Sequence, residues 1–183
     1  MHSNNNSVLR STKKNLLFLA IILHIFTIFS HARANEDLER IGDIIQIALP
    51  TAAAAYSLGK NDKDGLKQGA YSLIATNAIT FGLKYTVNAR RPNGGCHSFP
   101  SGHTSTAFAA STYMWKRYGY EYGLPMTILA GFVGYTRIEA DKHFFGDVAA
   151  GAAIGIAASW FFTTKYGSKI SVTPQGLTFK MDF

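Results

Sequence analysis

KYTVNARRPNGGCHSFPSGH, residues 84–103, and TRIEADKHFFGD, residues 136–147, decide how this chain is read. Within them stand Lys84-x6-Arg91-Pro92, Pro100-Ser101-Gly102-His103 and Arg137-x5-His143-x3-Asp147. Lys84, Arg91 and Arg137 could surround a dianionic phosphoryl group, the arginines as planar forks and the lysine as a point charge. Ser101-Gly102-His103 should open a helix, where free backbone N–H groups and the positive end of the dipole favour an anion. Gly102 would let the main chain approach a phosphate closely, and Ser101 could donate its hydroxyl. Taken alone, the same tetrapeptide reads equally well as a helix cap after a loop. Asp147 lies four residues after His143, so on a helix the two share a face. The carboxylate could then hold one imidazole nitrogen and leave the other free to attack phosphorus.

In this order and spacing the three strings resemble the tripartite signature of the type 2 phosphatidic acid phosphatase (PAP2) family, which also includes bacterial nonspecific acid phosphatases and vanadium haloperoxidases. The resemblance covers Lys84 to Asp147; Thr136 stands where the family usually has serine, a change that keeps a hydroxyl. It implies a phosphatase in which His143 is the nucleophile, forming a phosphohistidine, while His103 protonates the departing alkoxide and later activates water. Lys84, Arg91, Ser101, Gly102 and Arg137 would bind the phosphate, and Asp147 would support His143. The cations do the charge work that a metal pair would otherwise do, so no cofactor and no metal is expected, and activity should persist without divalent ions.

Outside the motifs the sequence is apolar for a soluble chain: 183 residues, 47% hydrophobic and 16% charged. Residues 1–34 read as an export signal, with Arg10, Lys13 and Lys14 before an apolar run from Leu16 to Phe29 and an Ala32-Arg33-Ala34 cleavage site. The alternative is an uncleaved anchor. Removing this segment lowers the net charge from +7 to +3. Much of that remainder belongs to the candidate site, so the basic balance gives no case for nucleic acid. Cys96 is the only cysteine, which excludes an intrachain disulfide. His97 reads as a loop residue, and Arg90 as a neighbour of the core site.

Residues 35–183 read as one all-α domain. Apolar, alanine-rich segments near 41–58, 68–87, 101–118, 124–137 and 144–163 predict a compact bundle of about five helices. Alternation from Ile170 to Phe183 around Pro174-Gln175-Gly176 predicts a short C-terminal β-hairpin. Whether the helices span a membrane is open at this point. Lys60, Lys63, Lys67, Lys116, Arg117, Lys165 and Lys169 would all fall on one side, as cytoplasmic loops require, with the motifs facing the periplasm. Against spanning stand Asp43, Gln46 and Pro50 in the first segment and Asn77 in the second. The leading expectation is an exported phosphatase acting on a phosphomonoester or pyrophosphate of a membrane lipid. The alternatives are a soluble periplasmic acid phosphatase, a haloperoxidase or a noncatalytic anion-binding envelope protein.

Overall fold

A computed structural model of the protein describes residues 34–173 and 176–181, with side chains over 36–167. Five helices form its architecture: α1 (Ala34–Gly59), α2 (Lys63–Val87), α3 (Gly102–Tyr118), α4 (Tyr120–Glu139) and α5 (Phe145–Phe162). Local chemistry sets their ends. Asp62 accepts the Gly65 N–H at 2.9 Å and starts α2. Asn88 takes the left-handed conformation (φ 45°) that stops it. Gly119, at φ 105°, is the single residue between α3 and α4, so these helices are antiparallel neighbours. Helix α4 begins at Tyr120, four residues before the segment expected from 124, and runs through Pro125. The carbonyl that loses its partner there belongs to Glu121, an exposed residue that water can serve. The expected export segment lies almost wholly outside the described residues. The expected C-terminal hairpin is not supported as part of this fold: its turn, 174–175, is undescribed, and so are all side chains from 168 onward.

Helix α3 is central, and nearly every residue from Thr104 to Met114 is buried. Leu49 of α1, Ala107 and Ala110 of α3, and Ala130 and Val133 of α4 pack as one cluster. On its other flank α3 meets α5 at very short range. A Cβ on Gly151 would stand 2.5 Å from the Ser101 carbonyl oxygen, and one on Gly155 would stand 2.2 Å from that of Ser105. Small residues four apart let two helix backbones touch in this way. The Ser101 N–H donates to the Asp147 carbonyl at 2.9 Å and fixes the two helix starts together.

The distribution of polarity is inverted relative to a water-soluble bundle. Ser57, Ser72, Thr76, Thr80, Ser105 and Ser111 are buried, whereas Ile47, Leu58, Ile74, Ile128 and Phe161 are exposed, Ile74 by 66% and Phe161 by 81%. Among the described residues, two helices, α1 from Glu36 and α5, are long and apolar enough to cross a membrane. At the end of the bundle away from the motifs, Arg117 and Asp62 form a buried two-pronged ion pair at 2.6 and 2.8 Å. Tyr118 adds a hydrogen bond to Asp62 at 2.7 Å. Leaving either charge there alone would be strongly unfavourable.

Gly155→Ala tests the α3–α5 contact. Alanine gains about 1 kcal/mol of helix propensity, but here its methyl meets fixed backbone, and overpacking of this kind costs about 1–3 kcal/mol. The expected result is a lowered unfolding temperature, while Gly131→Ala, whose Cβ meets nothing within 4 Å, leaves it equal or higher.

Candidate active site

The two loops that carry the outer motifs converge on the start of α3. Asn93, in the loop after α2, donates its N–H to the Asp141 carbonyl in the loop before α5, at 3.1 Å. The Ser98 N–H donates to Ala89 at 2.9 Å and folds the first loop on itself. Between them lies a cavity of about 340 Å³ whose wall includes Lys84, Arg91, Gly102, His103, Arg137 and His143. Six residues named from the sequence, drawn from all three strings, thus share one concave surface.

Each cation donates to a neighbouring oxygen that fixes its position. Lys84, in the last turn of α2, donates from Nζ to the His97 carbonyl at 2.9 Å. His97 thus serves the site through its backbone, while its ring packs on Tyr85 with centroids 5.0 Å apart. Arg91 donates from Nε to the Cys96 carbonyl at 3.1 Å. Arg137 is 2% exposed and donates to Thr136 Oγ1 through Nε at 3.2 Å. The hydroxyl that replaces the usual serine is therefore in use.

Two named residues do something other than the sequence suggested. Ser101 is wholly buried and caps α3, accepting from Thr104 Oγ1 at 2.9 Å and from the Thr104 N–H. It is not among the cavity-lining residues. His143 and Asp147 do not share a helix, since α5 begins only at Phe145. Instead Asp147 sits in the first turn of α5 and accepts the Phe144 N–H at 2.9 Å, which stabilises the helix start. The carboxylate still faces His143, with Oδ2 3.6 Å from Nδ1, beyond hydrogen-bond length. Its short bond comes from Ser98 Oγ at 2.5 Å, and that hydroxyl is 3.5 Å from His143 Nδ1. Ser98 thus belongs to the site, although no motif spacing signals it.

The larger omission is on α1. Asp43 Oδ1 lies 3.0 Å from His103 Nε2 and 2.7 Å from Arg137 Nη1. Arg137 Nη2 also donates to the Glu39 carbonyl, and Glu39 pairs with Lys142 at 3.1 Å. Gly42 makes this approach possible, because a Cβ there would overlap Thr136 Oγ1 and Arg137 Nη2. The cavity wall therefore carries four cations, Lys84, Arg91, Arg137 and Lys142, against the carboxylates of Glu39 and Asp43. The surplus is positive, as an anion site requires.

His143 is 3% exposed. Burial first, then the positive charges of Lys84 and Arg91, hold its pKa down to about 4 against the opposing pull of Asp147. The imidazole is consequently neutral at physiological pH and keeps a lone pair. With Nδ1 turned toward Ser98 and Asp147, Nε2 is the nitrogen left for chemistry. Among the described residues, no three histidine, cysteine, aspartate or glutamate side chains group as metal ligands.

The sequence pattern of the PAP2 superfamily matches residues 93–170. Over 168 residues the chain is 30% identical to the lipid A 4'-phosphatase of Helicobacter pylori strain J99, covering 84% of each chain. It is 28% identical over 181 residues to the lipid A 1-phosphatase of the same strain, covering 86% of this chain and 91% of that one. The crystal structure of Aquifex aeolicus LpxE shares the fold, with a TM-score of 0.62 at 23% identity over 76% of this chain and 93% of that one.

The titration of His143 is directly measurable by imidazole NMR of the ligand-free protein, with a midpoint expected near pH 4 rather than 6.5. Lys84→Met removes a cation and should move that midpoint up; Asp147→Asn removes the counterweight and should move it down.

Proposed function

The chain belongs to the PAP2 superfamily and is a phosphatase, and on that premise we propose that it removes a phosphate from a membrane lipid of the lipid A kind at the periplasmic face, through a phosphohistidine. The observation that carries this reading is the cavity in which two imidazoles and a surplus of cations meet. The substrate class is supported by the two lipid A phosphatases to which the chain is similar along most of its length. The apolar exterior supports a chain embedded in the bilayer, since exposed isoleucine, leucine and phenylalanine around a polar interior suit lipid better than water. The periplasmic orientation rests on the basic residues near the far end of the bundle, Lys60, Lys63, Lys67 and Lys116.

In this reading the nonbridging oxygens lie among Lys84, Arg91 and Arg137, and the Gly102 end of α3 adds its dipole. His143 Nε2 attacks phosphorus, and the P–O ester bond breaks as the N–P bond forms. His103 gives its proton to the departing oxygen. In the second half, neutral His103 takes a proton from water, the oxygen attacks phosphorus, and phosphate leaves with His143 restored. Asp43 acts on the first half. Glu39, Lys84, Arg91, Arg137, Lys142 and His143 also line this cavity, and burial first, then Arg137 and Lys84, disfavours a proton on His103. Asp43, at 3.0 Å from His103 Nε2, is the carboxylate that pulls the other way.

The test is phosphate release by purified protein in detergent with EDTA present, on lipid A, phosphatidic acid and p-nitrophenyl phosphate. The wild type is expected to prefer the lipid phosphates, and His143→Ala to lose at least 10³-fold on all of them. An active but EDTA-sensitive enzyme, or an active His143→Ala protein, would overturn the mechanism. Asp43→Asn is expected to reduce kcat/KM at least tenfold on alkyl phosphates and far less on p-nitrophenyl phosphate, whose leaving group departs without a proton. An equal loss on both classes would overturn this role and leave Asp43 as the partner that positions Arg137.

A further inference from the structure

A second cavity, of about 230 Å³, lies between α1, α2 and α3, and its wall includes Ala53, Ala54, Gly69, Ala70, Leu73 and Ala109. It stacks directly on the phosphate cavity. The phosphate cavity ends at Gln46 on α1, Asn77 on α2 and Thr106 on α3. The apolar crevice begins at Pro50, Leu73 and Ala109, about one helical turn further along each of the same three helices. Its far end is closed by Ser57 and Tyr113, whose hydroxyls bond each other at 2.7 Å and thereby leave no polar group calling for water. From Pro50 to Ser57 the crevice runs about 10 Å along α1.

Its mouth is at the surface. Ala54 and Ala70 are exposed, one on each lateral wall, and Ile47, Leu58, Tyr71 and Ile74 stand exposed on the same two helices. A narrow apolar slot with small-residue walls fits an unbranched hydrocarbon chain. It starts where a phosphorylated headgroup would be held and opens onto a lipid-facing surface. We infer that one acyl chain of the lipid substrate lies in this crevice between α1 and α2 while its phosphate occupies the cationic cavity. The inference rests on the proposed lipid phosphatase reading and adds the element that distinguishes a lipid from a soluble ester. The polar floor at Ser57 and Tyr113 makes the slot a ruler, because a chain segment longer than the crevice must leave through the mouth.

Filling the slot tests this. Gly69→Leu is a favourable change for a helix interior, and its Cβ makes only ordinary contact with the Tyr113 ring at 3.5 Å. Ala54→Leu fills the slot from the opposite wall. The substrates are dipalmitoyl phosphatidic acid, dihexanoyl phosphatidic acid and p-nitrophenyl phosphate in one detergent, with thermal melting of each variant as the check on folding. Both variants are expected to lose at least tenfold in kcat/KM on the long-chain lipid and less than twofold on p-nitrophenyl phosphate, with the short-chain lipid between. An unchanged long-chain rate in a folded variant, or an equal loss on all three substrates, overturns the inference. Wild-type protein that cleaves p-nitrophenyl phosphate without preferring the long chain also overturns it and leaves the phosphatase standing. Wild-type protein that cleaves none of them overturns the phosphatase reading itself.

Discussion

The contact between the starts of α3 and α5 governs everything else in this protein. Gly151 and Gly155 let α5 lie against the Ser101 and Ser105 carbonyls, and the Ser101 N–H closes onto the Asp147 carbonyl. One helix start carries His103 and the other follows His143, so the separation of the two imidazoles is set by backbone contact, not by flexible side chains. Backbone is the stiffest support available, and phosphoryl transfer depends on positioning. The contact has a cost for the motif itself. The Ser101 amide and hydroxyl are spent on holding the helices, which leaves Gly102 and His103 as the part of the tetrapeptide that faces the cavity.

Charge is graded across the site by the same packing. Burial, and after it the positive surplus, suppresses protonation of both histidines, and under the proposed mechanism this has opposite value for each. A nucleophile is helped, and burial with Lys84 and Arg91 nearby keeps His143 neutral. A general acid is harmed, and the carboxylate paired with His103 comes from α1, a helix outside all three motifs. Two histidines in one cavity are thereby given different environments by different helices, as the proposed acid and nucleophile roles require.

What was legible in the sequence was whatever is local. Alanine-rich apolar runs and Gly or Pro separators predicted five helices near their observed places, and the ordered cations and histidines identified six cavity residues. What was not legible depends on distance along the chain. Asp43 and Arg137 are 94 positions apart, and Ser98 and Asp147 are 49 apart. No spacing rule joins such pairs before the fold is known. Asp147 was found for an incomplete reason: spacing of four suggested one helix face, whereas the residue caps a helix that His143 precedes. The roles of Ser101 show the converse, since cap and anion cradle have the same sequence and only packing chooses between them.

The residues that counted against a membrane-spanning α1 and α2 change their meaning once placed. Asp43, Gln46 and Asn77 line the cationic cavity, and Pro50 lines the apolar crevice one helical turn away. None of them is presented to the surroundings as an isolated polar group on an apolar face. Their interruption of the hydropathy is the record of a site cut into the inner side of two helices whose outer sides carry Ile44, Ile47, Ile74 and Ile79. Average hydropathy cannot separate a helix that is polar toward water from one that is polar toward its own interior, because the sum is the same. Burial separates them. Here it assigns the polar residues to the inside of the bundle, on the wall of the cationic cavity.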